Sequence, residues 1–126
     1  SVAVAAQLIR PGGTLFSIEI VPELSETARR HLEAAGVDDN VHLIVGDGSV
    51  GLADETPFDR IYLTAGVGYH FNENILLGQL RQNGILIYPE AHGNLYFVKN
   101  TPGGPQRQTM GGVGFVFLKG ENSGFQ

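Results

Sequence analysis

Val41-His42-Leu43-Ile44-Val45-Gly46-Asp47-Gly48-Ser49 runs from five strand-type residues straight into Gly-Asp-Gly. A short apolar strand that ends in glycines and one acid is what a parallel sheet offers a ligand at its carboxyl edge. Gly46 and Gly48 remove side-chain bulk, so the backbone can approach a flat ring closely. Asp47, when ionised, only accepts hydrogen bonds, which suits an exocyclic amine or a hydroxyl. Asp-Gly is also ordinary tight-turn chemistry, and the stretch by itself leaves that local reading open.

Working back from it, Leu24, Ala28, Leu32 and Ala35 repeat at helical spacing. Pro22 suits the first turn of that helix and Gly36 its end. Arg29 and Arg30 fall on its exposed face. Thr14 to Glu19 reads as a strand with Glu19 at its carboxyl end. Ser1 to Ile9, apolar almost all round, reads as the last turns of a buried helix stopped by Pro11-Gly12-Gly13.

Working forward, Ser49 to Pro57 is a polar connection with one helical turn expected near Gly51-Leu52-Ala53. Phe58 to Thr64 is a strand and Ala65 to Phe71 a glycine-rich loop. Asn72 to Gln82 is expected as a short helix with Ile75, Leu76 and Leu80 inward. Asn83-Gly84 then turns the chain into a strand at Ile85 to Tyr88. Leu95 to Lys99 and Val113 to Leu118 read as strands joined by a Pro- and Gly-rich loop, Thr101 to Gly112. Ser123 to Gln126 is expected to fray. Strand–helix alternation of this kind predicts an α/β fold, a doubly wound, mostly parallel sheet. The closing strand pair, with no crossover helix, predicts an antiparallel hairpin at one edge.

The 126 residues suit one domain, 1–126. With no cysteine, disulfides, thiolate catalysis and Cys-based zinc sites are excluded. A net charge of -5 argues against a nucleic-acid partner. No apolar run spans a membrane, and a cytoplasmic location is the default expectation. The four histidines, His31, His42, His70 and His92, lack metal-ligand spacing, so no metal is expected. The chain opens without methionine inside a helix, which reads as a fragment or a processed start.

In doubly wound sheets ligands sit beyond the carboxyl ends of the strands. Three such ends carry information: Glu19, Asp47-Gly48 and Thr64-Ala65-Gly66. An acid ending the second strand of such a fold grips a ribose diol, so Glu19 reads as that ligand and Asp47 as the ligand of a base amine. Ile20 offers a ring an apolar face. Glu19 also suits a purely local role, as an acid at the start of the helix that opens at Pro22.

The pattern resembles the class I methyltransferases that use S-adenosylmethionine. More closely, it resembles the protein-L-isoaspartate O-methyltransferase family. The residues that carry the match are Ser17-Ile18-Glu19-Ile20-Val21-Pro22-Glu23-Leu24, then Val45-Gly46-Asp47-Gly48 with Gly51. Pro57-Phe58-Asp59-Arg60-Ile61-Tyr62 with Thr64-Ala65 follow. Gln79-Leu80, Gly84, Leu86, Pro89 and Val113-Gly114-Phe115-Val116-Phe117-Leu118 complete it. The resemblance implies a Rossmann-like fold with adenosine held by Glu19, Ile20, Asp47 and Gly48, and Thr64 is grouped with them as cofactor-binding. It implies S-adenosyl-L-methionine as cofactor and, as partner, a peptide or protein with an isoaspartyl carboxylate to be methylated.

The chain also departs from the family's pattern. The glycine-rich loop after the family's first strand is missing, as is the amino-terminal segment with the active-site serine or threonine region. The domain is therefore expected to be truncated at its amino terminus. The missing strand belongs between Thr14–Glu19 and Phe58–Thr64, so the sheet is expected to be completed by a partner segment, with self-association or closing-up of the remaining strands in a new register as the alternatives. Gly66-Val67-Gly68-Tyr69-His70-Phe71 replaces an Ala/Pro-rich stretch, which makes Gly66, Tyr69 and His70 the substrate-side candidates. The competing reading has this loop pack its aromatics onto the helix at Ile75. Pro89-Glu90-Ala91-His92 replaces a Pro-Val-Gly pattern, and Phe117 stands where Pro is usual. No catalytic residue is assigned. The alternatives are a methyltransferase for another acceptor, such as RNA, and a degenerate, non-catalytic module kept for binding or assembly.

Overall fold

The computed structural model describes residues 2–114 and 117–125. The chain packs as two units, Ser1–Gly48 and Ser49–Gln126.

The first unit holds α1 (Val2–Leu8), β1 (Leu15–Glu19), α2 (Pro22–Ala35) and β2 (Val41–Val45). The expected punctuation of α2 is present. Pro22 opens the helix, and Gly36 adopts a left-handed φ of 71° just past its end. Gly36 N–H donates to the Glu33 carbonyl at 3.1 Å and Val37 N–H to the Leu32 carbonyl at 3.2 Å. These two bonds satisfy carbonyls that a helix end otherwise leaves without partners. They also fold Val37 back onto Leu32, and both are buried with Ala6 in a small core that Val2, Leu15, Val41 and Leu43 flank. Asn40 donates through Nδ2 to the Ala6 carbonyl at 3.0 Å and the Gly13 carbonyl at 3.2 Å, tying α1 to the turn that follows it. On the exposed face of α2, Arg29 pairs with Glu26 and Glu33. The hydrogen bond from Arg29 holds the Glu26 carboxyl below its ordinary pKa.

β1 and β2 are parallel, in register from Leu15 opposite Val41 to Glu19 opposite Val45. His42 lies opposite Phe16 and stacks on it, ring centroids 5.0 Å apart.

The second unit holds β3 (Phe58–Tyr62), α3 (Glu73–Leu77), β4 (Leu80–Pro89), β5 (His92–Thr101) and β6 (Gly104–Gly114), in the order β3-β4-β5-β6. β3 and β4 are parallel; β4–β5 and β5–β6 are antiparallel. The class is the expected one, α/β with parallel pairing and an antiparallel carboxyl-terminal edge. Its core is Val67, Leu76, Leu77, Leu80, Leu86, Tyr88 and Val98, with Phe58, Ile61, Phe71 and Leu118 packed against it.

Several expectations are corrected. The helix expected over 72–82 ends at Leu77, and Leu80 already belongs to β4, opposite Phe58. Leu76 and Leu77 face inward, whereas Ile75 is 38% exposed. Asn83-Gly84 lies within β4, where the register jumps from Phe58–Leu80 to Arg60–Ile85. Asn83 takes a φ of 66° there. At Gly84 a Cβ would stand 2.8 Å from the Arg81 carbonyl oxygen and 3.0 Å from that of Asp59, so the crowded bulge requires glycine.

The expected loop over Thr101 to Gly112 is mostly strand: the turn is tight, Thr101 pairs with Gly104, and β6 runs on to Gly114. Pro105 is tolerated because β6 is an edge strand. The strand expected over Val113 to Leu118 is thus the end of β6 plus one parallel bridge, Phe117 to Gly66; residues 115 and 116 lie outside the described ones. Finally, Ser123 and Gly124, expected to fray, are buried, Ser123 only 6% exposed; Gln126 lies outside the described residues.

Candidate functional site

The parallel register brings two of the three informative strand ends together. Glu19 closes β1 opposite Val45, the last residue of β2. Gly46 N–H donates to the Glu19 carbonyl at 3.0 Å, so the pairing continues one step into the Gly-Asp-Gly turn. Asp47 follows immediately, half-buried like Glu19. The Glu19 carboxylate accepts the Val21 N–H at 3.2 Å through Oε1. The local role foreseen for this acid, at the mouth of α2, therefore occupies one oxygen and leaves Oε2 for a ligand. Ile20, the next residue, is 41% exposed and presents an apolar face. A Cβ at Gly48 would sit 3.5 Å from Ile18 Cβ and 3.7 Å from its carbonyl oxygen, ordinary van der Waals contact. Space inside the unit does not require glycine there.

Two carboxylates at one strand edge are acceptors. They suit diol hydroxyls and an amine, and they repel phosphate.

The third strand end lies in the second unit. Thr64 is exposed, two residues past β3. Gly66 is buried, and a Cβ on it would stand 2.4 Å from Ala91 Cα, so its glycine is explained by packing. Val67 N–H donates to the Pro89 carbonyl at 2.8 Å and Leu118 N–H to the Gly66 carbonyl at 2.7 Å. Of the three aromatic residues in the loop, Phe71 packs inward against Tyr88, 4.8 Å between centroids. Tyr69 is 94% exposed, and His70 is also exposed and meets it edge-on at 5.2 Å. The competing reading has the aromatics pack onto the helix at Ile75; Phe71 turns inward onto the core beside Tyr88 of β4, whereas Tyr69 and His70 stay exposed.

A buried polar frame supports this unit. Tyr88 OH donates to Glu73 at 2.6 Å, and Arg107 pairs with the same carboxylate. Burial pushes the Tyr88 pKa up to about 12, with the neighbouring Tyr96 and Glu90 adding to the rise. Gln79 accepts the Leu52 N–H at 2.9 Å and donates to the Val50 carbonyl at 2.8 Å. It fills the space over Gly51, where a Cβ would stand 2.1 Å from its Oε1. Gly51 and Gln79, two residues of the resemblance with no role assigned from sequence, are therefore partners. Sequence reasoning missed Ser49 and Asn122 altogether. Ser49 is fully buried, and Asn122 N–H donates to its Oγ at 3.0 Å.

The sequence pattern of the protein-L-isoaspartate(D-aspartate) O-methyltransferase family matches residues 1–122. The chain belongs to this family. The protein-L-isoaspartate O-methyltransferase of Methanopyrus kandleri is 40% identical over 128 residues, covering 98% of this chain and 55% of the relative. That of Pyrococcus horikoshii is 40% identical over 125 residues, covering 95% and 54%. The chain thus spans about half the length of the curated relatives it matches. A solved protein-L-isoaspartate O-methyltransferase superposes with a TM-score of 0.82 at 25% identity, covering 96% of this chain and 38% of that one. A putative family member from Plasmodium falciparum, solved in complex with S-adenosyl-L-homocysteine, superposes with a TM-score of 0.70 at 22% identity, covering 93% and 58%, and supports the fold.

The family resemblance implies Glu19, Ile20, Asp47 and Gly48 as adenosine ligands. All four lie at the carboxyl ends of one parallel strand pair. Their chemistry fits a nucleoside: acceptors for a diol and an amine, an apolar face for a ring, and a glycine for close approach.

Proposed function

We propose that this chain carries the S-adenosylmethionine-binding part of a carboxyl methyltransferase that acts on isoaspartyl residues of proteins or peptides. The observation that carries the reading is the register of β1 and β2, which brings Glu19 and the Asp47-Gly48 turn to one edge. Family membership supports the acceptor class.

When bound, S-adenosylmethionine supplies a methyl group on a positive sulfonium; the S–CH3 bond breaks as a carboxylate oxygen forms the new C–O bond, and sulfur keeps the electron pair. Glu19, whose Oε1 is held by Val21 N–H, would accept from the ribose hydroxyls, Asp47 would accept from the adenine amine, and Ile20 would cover a face of the ring. An ionised carboxylate is already a nucleophile, so no side chain has to remove a proton, and positioning supplies most of the rate. The loop bearing Tyr69 and His70 is assigned to the acceptor half, where exposed donors suit a carboxylate.

The test is methyl transfer from S-adenosylmethionine to a synthetic isoaspartyl peptide, with the matching aspartyl peptide and an RNA oligonucleotide as controls. Transfer to the isoaspartyl peptide alone is expected. Methylation of RNA, or cofactor binding with no transfer to any acceptor, would replace the reading with one of its alternatives.

A further inference from the structure

The tail after β6 grips the loop that bears Tyr69 and His70. Asn122 Oδ1 accepts the Asn72 N–H at 3.0 Å, and its Nδ2 donates to the Asn72 carbonyl at 3.1 Å and the Ser49 carbonyl at 3.0 Å. The Ser123 carbonyl accepts the Gly68 N–H at 2.8 Å, and the Gly124 carbonyl accepts the His70 N–H at 3.0 Å. Gly124 has a φ of +93°, and a Cβ there would stand 2.4 Å from the Gly68 carbonyl oxygen and 2.5 Å from Phe71 N. The tail lies against the loop backbone at a distance that only glycine allows.

We propose that Asn122-Ser123-Gly124 is a positioning latch for the acceptor loop, an inference that rests on reading that loop as the substrate side of a methyltransferase. The tail binds backbone groups on either side of Tyr69 and leaves that side chain 94% exposed. A fixed backbone that presents free side chains is what a recognition loop needs, because the ordering cost is met before the peptide arrives. Packing alone would be served by apolar contacts. Here, beside the Phe125 ring packed near Gly68, the contact includes hydrogen bonds directed at Gly68, His70 and Asn72.

Two variants test the latch. Asn122→Asp keeps the shape and the Oδ1 acceptor but removes the Nδ2 donor. Gly124→Ala drives a methyl into the loop backbone. The isosteric Asn122→Asp keeps the test open if Gly124→Ala fails to fold. Amide hydrogen exchange at Gly68 and His70 is measured by NMR, together with binding of a fluorescent isoaspartyl peptide and steady-state methyl transfer. Exchange is expected to speed up about tenfold, the equivalent of one lost hydrogen bond. Peptide affinity is expected to fall and peptide KM to rise about tenfold, with kcat and the cofactor KM within about twofold. Unchanged exchange in both variants overturns the latch. Faster exchange with unchanged peptide affinity and KM overturns its positioning role. A parent protein that transfers no methyl group overturns the methyltransferase reading instead, and exchange with peptide binding still decides the latch.

Discussion

Gly46 N–H donates to the Glu19 carbonyl at 3.0 Å. This bond carries the parallel pairing one residue past β2, so Glu19 and the Asp47-Gly48 turn share one strand edge. The proposed adenosine site depends on that alignment. A slip of one residue would turn every side chain of β2 to the opposite face.

Two glycines near this edge predict opposite outcomes. Gly48→Ala places its methyl in ordinary contact with Ile18, at 3.5 Å, so stability should be nearly unchanged. It also fills the space a nucleoside approaches, and S-adenosylhomocysteine affinity should fall about tenfold. Thermal melts and calorimetric titration of the one variant check both halves. Unchanged affinity would mean that no ligand comes close at Gly48.

Gly51→Ala should instead damage the fold. Gly51 has a φ of 72°, and its new methyl would stand 2.1 Å from Gln79 Oε1, displacing a side chain that bonds Val50 and Leu52. Strain together with broken buried hydrogen bonds should cost about 2–4 kcal/mol in urea unfolding. A loss no larger than that of Gly48→Ala would contradict the pairing of Gly51 with Gln79.

Tyr88 sets an alkaline limit. Its pKa is pushed from 10.0 to about 12 in the folded protein, chiefly by burial. A raised folded pKa gives stability that is fully present below pH 10 and is lost as the pH rises toward 12. The loss should approach about 2 kcal/mol at most. Denaturant unfolding between pH 9 and 12 should show a steeper decline than in Tyr88→Phe, which cannot ionise there. Identical slopes would contradict the burial of that phenol.

Much of this was legible because the deciding signals are local. Pro22 and Gly36 bound α2 as single residues do, and the strand that runs into Gly46-Asp47-Gly48 needs only its apolar run and its glycines. The misreadings occur where tertiary context overrides local pattern. Leu80 sits at helical spacing from Leu76, yet it is opposite Phe58 in β4. β6 is an exposed edge strand rich in Gly and Gln, so it lacks the apolar alternation that marks half-buried strands. Asn122 looks like tail composition and is recognisable only once its partners Ser49 and Asn72, far away in sequence, are known. The residues proposed for adenosine could be named from sequence because a strand end is a local feature. The acceptor loop was only partly so, since nothing in Tyr69-His70-Phe71 says which ring turns inward.

The most direct measurement is calorimetric titration of S-adenosylhomocysteine into the parent protein, Glu19→Ala and Asp47→Ala. Each truncation removes a charge-assisted hydrogen bond and should weaken binding by about 1–3 kcal/mol, roughly five- to 150-fold. Measurable binding by the parent with that loss in both variants is the predicted result. Parent-like affinity in both variants would contradict the adenosine site at the ends of β1 and β2.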